Sequence, residues 1–137
     1  MLLSKVIDFS KHVTIVSTPT GISTTLGVET GSGNLYFNPE DSLVAALASC
    51  ISATISLYAK ANNIALICLE GDLAYTMNET TPKMIKEISL NFKISGDFDE
   101  KQFDSIKNIA ERCPIKNSLN PNIHFLQSFI WVKFKEE

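Results

Sequence analysis

The order of apolar and polar positions along the chain predicts a succession of short strands, one long helix and a second strand–helix–strand group. Lys5–Phe9 and Val13–Ser17 are short β-branched or apolar runs flanking the polar Ser10-Lys11-His12, and they predict two strands. Thr18-Pro19-Thr20-Gly21 predicts a turn, and Ile22–Val28 continues as a third strand. At Asn38-Pro39-Glu40-Asp41 the signals for a helix start coincide: Asn38 as cap, Pro39 at the first helical position, and two carboxylates at the positive end of the dipole. The helix predicted from there runs to about Asn62 and ends at Asn62-Asn63. Its apolar and small residues spread around nearly the whole circumference, the pattern of a central helix covered on all sides.

Ile67–Thr76 alternates as a half-buried strand, Asn78–Pro82 supplies a turn, and Met84–Ser95 follows with a period of two from Ile88. Gly96-Asp97-Phe98-Asp99 breaks that strand and offers Asp99 as the cap of a helix over Glu100–Arg112, with Phe103, Ile106, Ile109 and Ala110 on one face. Pro114 interrupts it, Ile115–Leu119 makes a further helical turn, and Ile123–Phe134 is the last strand. The order predicts an α+β class: an antiparallel sheet wrapped around a long buried central helix, in one domain over 1–137.

Composition narrows the function. Twelve Lys and Arg against 15 Asp and Glu leave a formal charge of −3, without the basic face that a nucleic-acid backbone requires. Mean hydropathy of +0.09 is high for a small soluble monomer and points to an oligomer that buries apolar surface between subunits. The uncharged stretch Ser42–Ala59 reaches the lower edge of membrane-spanning length, but five Ser and Thr side chains interrupt it and Asp41 and Lys60 bracket it. It reads as a helix buried in protein, with no membrane partner. Asp8 arrives before any signal-peptide core forms, so the expected compartment is the cytoplasm. Gly31-Ser32-Gly33-Asn34 matches neither a phosphate loop nor a dinucleotide fingerprint and reads as a connector.

The candidate chemistry is thiol chemistry. Cys50, Cys68 and Cys113 are an odd number at wide spacing, unlike a disulfide framework. Cys50 lies in the buried helix, where an unreactive packing role is the alternative to a nucleophile. Cys113 closes the second helix, with Arg112 and Lys116 favouring its thiolate and the helix C-terminus opposing it. Cys68 sits in an apolar run with no cation nearby and reads as packing. His12 and His124 pair with no cysteine at metal-ligand spacing, so neither a metal nor a cofactor is expected.

Two motifs carry a resemblance. Asn38-Pro39-Glu40, followed by Leu43-Val44-Ala45-Ala46-Leu47-Ala48-Ser49-Cys50 with the cysteine ten positions after the glutamate, is similar to the first signature of the OsmC/Ohr family (osmotically inducible and organic hydroperoxide resistance proteins). Ala110-Glu111-Arg112-Cys113-Pro114 resembles the second, a helix ending in Cys-Pro, and the element order agrees over essentially the whole chain. The resemblance implies an intertwined homodimer with active sites at the subunit interface. It implies Cys50 as peroxidatic cysteine, Cys113 as resolving cysteine and Glu40 as the carboxylate of the active-site network. The implied substrate is an organic or lipid hydroperoxide, and the disulfide that forms is reduced by an external dithiol without any cofactor. The alternative is a non-catalytic dimer of this type that binds a small hydrophobic molecule or senses redox state.

In one respect the chain departs from the family. Active members place an arginine from the N-terminal strands near the peroxidatic thiol, whereas Arg112 is the only arginine here. Lys11, and after it Lys5, are the expected substitutes, although an ammonium lacks the guanidinium fork. Glu40 poses a distance question, since ten residues of straight helix span about 15 Å. A first-turn residue complementing the helix dipole is the competing role for it.

Overall fold

Three strands open the chain, β1 (Ser4–Asp8), β2 (Val13–Ser17) and β3 (Ser23–Gly27), paired in sequence order as an antiparallel meander. The computed structural model describes residues 3–8, 11–27 and 36–133. Phe9, Ser10, Val28, the Gly31–Asn34 connector and Phe134 fall outside the described residues. The chain divides into two units, Met1–Leu43 and Val44–Glu137.

In the first unit, Val6 faces Ile15 and Val13 faces Gly27. The predicted turn forms at Thr18–Gly21: the Gly21 N–H donates to the Thr18 carbonyl at 3.0 Å, and Gly21 takes φ +90°, which glycine adopts without a Cβ penalty. Thr18 Oγ1 accepts from the Ile22 N–H at 3.2 Å. The Gly27 N–H donates to the Phe37 carbonyl at 2.7 Å, tying the approach to the first helix onto the edge of β3.

Helix α1 (Pro39–Ala61) starts where the sequence predicts. Asn38 Oδ1 accepts from the Asp41 N–H at 2.7 Å, and Asp41 Oδ2 accepts from the Asn38 N–H at 3.3 Å, so cap and third helical residue satisfy each other. At the other end Asn63 takes φ +54°, and the Ile64 N–H reaches back to the Ala59 carbonyl at 2.8 Å. That is the left-handed C-terminal stop in which asparagine substitutes for glycine. By length and composition α1 would also suffice to cross a membrane.

Strands β4 (Ala65–Met77) and β5 (Ile85–Asp97) form an antiparallel pair. Helix α2 (Glu100–Ala110), helix α3 (Pro114–Ser118) and strand β6 (His124–Lys133) complete the second unit. The expectation of one antiparallel sheet is corrected here in two ways. Among the described residues the strands make two sheets of three, and β6 runs parallel to β5. The chain segment with α2 and α3 is the crossover connection that parallel neighbours require.

Alternation along β5 buries Ile88, Leu90, Phe92 and Ile94 and exposes Lys86, Asn91 and Lys93. With them in the core are Ile106 and Ala110 of α2 and Val44, Leu47, Ile51, Ile55 and Ala59 of α1. Each large side chain so buried contributes about 1.5–3 kcal/mol. Asp99 caps α2 as predicted: its carboxylate accepts from the Gln102 N–H at 2.7 Å while Gln102 Oε1 accepts from the Asp99 N–H at 2.9 Å. Phe98 stacks on Trp131 with ring centres 4.8 Å apart, and Phe103 packs against the same ring at a tilt, 5.8 Å away, fastening α2 to β6.

The prediction that α1 is covered on all sides does not hold within one chain. The buried stripe recurs every three or four residues, and the opposite stripe, Ala46, Ser49, Ala53 and Leu57, is exposed, Leu57 by 71%. Small residues, which look neutral to a hydrophobicity count, make the open side indistinguishable from a buried one in sequence.

Candidate active site: a pair of thiols

Cys50 lies in the middle of α1, half-buried, one residue before the fully buried Ile51. Cys113 is fully buried in the link between α2 and α3. Its position follows from Pro114. The ring disfavours helical backbone at the preceding residue, so α2 ends at Ala110 and Cys113 is extended (φ −62°, ψ +120°). Proline is suited to the first position of a helix, so α3 begins directly after Cys113, which becomes its cap residue.

The fold thus brings two cysteines 63 positions apart in sequence into direct interaction. The Cys113 thiol donates to the Cys50 sulfur, and the Ile115 N–H donates to Cys50 as well. Thr54, one turn further along α1, donates its hydroxyl to the Cys50 carbonyl at 2.9 Å and also lowers the thiol, as the weakest of these causes. Together these donors hold the Cys50 thiol below its ordinary pKa, the Cys113 hydrogen bond contributing most and burial opposing them. Cys113 moves the other way. Burial is the main cause, and its hydrogen bond to Cys50 retains the proton, against the backbone N–H groups of Lys116 and Ile115. The two therefore titrate as a coupled pair, with Cys50 the first to ionise.

This arrangement corrects the expectation for Cys113. The end of α2 does not set its environment; burial does, opposed by the backbone of Lys116 and Ile115. Nor does a neighbouring cation. Arg112 is exposed, and the Lys116 ammonium is held 2.7 Å from Glu111 Oε2, so Lys116 acts on Cys113 through its backbone.

Cys68 is exposed on β4, its thiol directed at Glu70 Oε1 at 3.9 Å. All three cysteines are free. Glu40 belongs to the first unit, in the opening turn of α1, and its Oε2 is buried without a hydrogen-bond partner. Lys5 on β1 and Lys11 in the turn after it are both exposed, also in the first unit. His12 occupies that turn at φ +55°, and His124 is exposed at the start of β6. Among the described residues no three His, Cys, Asp or Glu side chains gather as a metal-binding set.

Sequence reading did not find Thr54 or the amides of Ile115 and Lys116. The amides were signalled all the same. Cys113-Pro114 repeats the cap-then-proline pattern of Asn38-Pro39, and a helix start implies free N–H groups two and three residues on. Chemically, the pair offers a nucleophilic thiolate beside a protonated thiol within reach, the two requirements for making a disulfide through an oxidised intermediate.

The family described as OsmC-like protein matches residues 31–126. An OsmC-like protein from Mycoplasma pneumoniae superposes with a TM-score of 0.81 at 20% identity, over 96% of each chain. An organic hydroperoxide resistance protein from Legionella pneumophila gives 0.71 at 19% identity, over 94% of this chain and 95% of that one. The organic hydroperoxide resistance protein of Bacillus subtilis gives 0.64 at 18%, over 93% and 96%. No curated protein matches the sequence.

Proposed function

The chain belongs to the OsmC-like protein family, and from that premise we propose that it is a thiol-dependent peroxidase of organic hydroperoxides. The observation that carries this reading is the polarised thiol pair, with Cys50 lowered chiefly by the hydrogen bond from Cys113, and Cys113 raised by burial first and by that bond second. The names of the Legionella and Bacillus relatives support the substrate class.

In this mechanism the Cys50 thiolate attacks the distal oxygen of the hydroperoxide. The O–O bond breaks, the leaving alkoxide takes a proton and departs as the alcohol, and Cys50 becomes a sulfenic acid. The Cys113 sulfur then attacks the Cys50 sulfur. The S–O bond breaks, and the hydroxyl leaves as water with the Cys113 proton. An external dithiol reduces the disulfide and is itself oxidised. Glu40 is assigned to the active-site network by its motif, and Lys11 to the positive field of the missing arginine, with Lys5 second.

The active unit is a cytoplasmic homodimer without a cofactor. Mean hydropathy of +0.09 and the exposed stripe of α1 support a second copy as the missing cover.

A second reading rests on the arginine: none precedes Arg112, which favours a non-catalytic dimer binding a small hydrophobic molecule. Consumption of tert-butyl hydroperoxide in the presence of a dithiol separates the two. The peroxidase reading expects turnover that Cys50→Ser abolishes; no consumption by the parent chain establishes the second reading.

A further inference from the structure

Residues 112–115, which carry Cys113 and the Ile115 amide, are flanked by Glu111 and Lys116. The two flanks are joined. Lys116 Nζ donates to Glu111 Oε2 at 2.7 Å and to Gln127 Oε1 at 3.4 Å, and Gln127 Nε2 donates to Glu111 Oε1 at 3.3 Å. Three side chains from the end of α2, from α3 and from β6 therefore close a ring of hydrogen bonds. The ammonium also lies 5.3 Å from the centre of the Phe125 ring, again on β6. Fully exposed ion pairs contribute little. Here the Lys116 side chain is only 15% exposed, so this pair is partly shielded from water.

We infer that Glu111, Lys116 and Gln127 are positioning residues that clamp the Cys113 link against β6 and so fix the position of Cys113 relative to Cys50. The inference rests on the thiol pair being the reactive site. Helix α3 has five residues, too few to persist without tertiary support. Its first turn, and Cys113 directly before it, keep their place only if something outside the helix holds them, and the ring does so across the link. Through these bonds the Lys116 side chain anchors the backbone that follows Cys113.

The test is the pH profile of Cys50 alkylation by iodoacetamide in the full chain, read by peptide mass. Lys116→Met should move the profile upward and slow alkylation near neutral pH by about 3–10-fold, equivalent to about half to one pKa unit. Lys116→Arg should restore the parent profile, since a guanidinium can rejoin both partners. Glu111→Ala separates clamping from a simple field. Removing a negative charge near a thiolate would speed alkylation, whereas opening the ring should slow it. Faster or unchanged alkylation in Glu111→Ala overturns the clamp. A parent chain whose Cys50 titrates as an ordinary thiol overturns the reading of the site itself, and the clamp with it.

Discussion

Cys113 donates its thiol proton to the sulfur of Cys50; this contact is the main cause that lowers Cys50, and it adds to the burial that raises Cys113. A proton held on Cys113 stabilises negative charge on Cys50 and, by the same bond, is harder to remove. The nucleophile and the group that later attacks it are thus distinguished before any peroxide arrives.

That distinction sets a pH dependence. Cys50 ionises below the ordinary thiol range, so its reaction with electrophiles should rise with pH and level off earlier than for a free thiol. Cys113 should be labelled last. Cys113→Ala removes the largest cause of the Cys50 shift, so the Cys50 profile should move to higher pH. Alkylation with peptide mapping checks both, and labelling of Cys113 first would contradict the assignment.

Lys11 is tested as the substitute for the absent arginine. If Lys11 is the substitute, Lys11→Met should raise the Cys50 pKa and slow its alkylation with the fold intact, because a positive charge beside a thiol favours its thiolate. Lys11→Arg should preserve or improve peroxide turnover by restoring the planar fork. If both variants match the parent, Lys11 has no part in activation.

Assembly is read by sedimentation equilibrium at micromolar concentration. The account expects twice the 15.1 kDa chain mass. A charge placed on the open stripe of α1, as in Ala53→Glu, should shift the mass toward one chain. A folded parent monomer would remove the interface model of the site.

Stability should follow the core and the cap. Leu90 is fully buried, and Leu90→Ala should cost about 2–5 kcal/mol in urea unfolding. Asp99→Ala removes one side of the reciprocal cap of α2 and should cost about 1 kcal/mol. A larger loss at Asp99 than at Leu90 would contradict this ordering.

Most elements were legible because their signals are local. Asn38-Pro39, Asn62-Asn63 and Asp99 mark helix ends through hydrogen bonds made within a few residues, and β5 declares itself by alternation. The parallel pairing of β6 with β5 was not legible, because strand direction depends on the crossover and leaves no periodic trace. At the site, the motifs singled out Cys50 and Cys113, but no spacing rule could say that the fold joins them. The role of Lys116 was misread for a related reason: sequence shows a cation beside a cysteine, while the side chain turns to Glu111.

The central claim is that Cys50 and Cys113 form a working redox pair, and the direct measurement is peptide mapping after one equivalent of an organic hydroperoxide. The account predicts a Cys50–Cys113 disulfide within one chain and a free Cys68. With Cys113→Ser it predicts a Cys50 sulfenic acid that dimedone traps. A bridge through Cys68, or no bridge after peroxide is consumed, would contradict it.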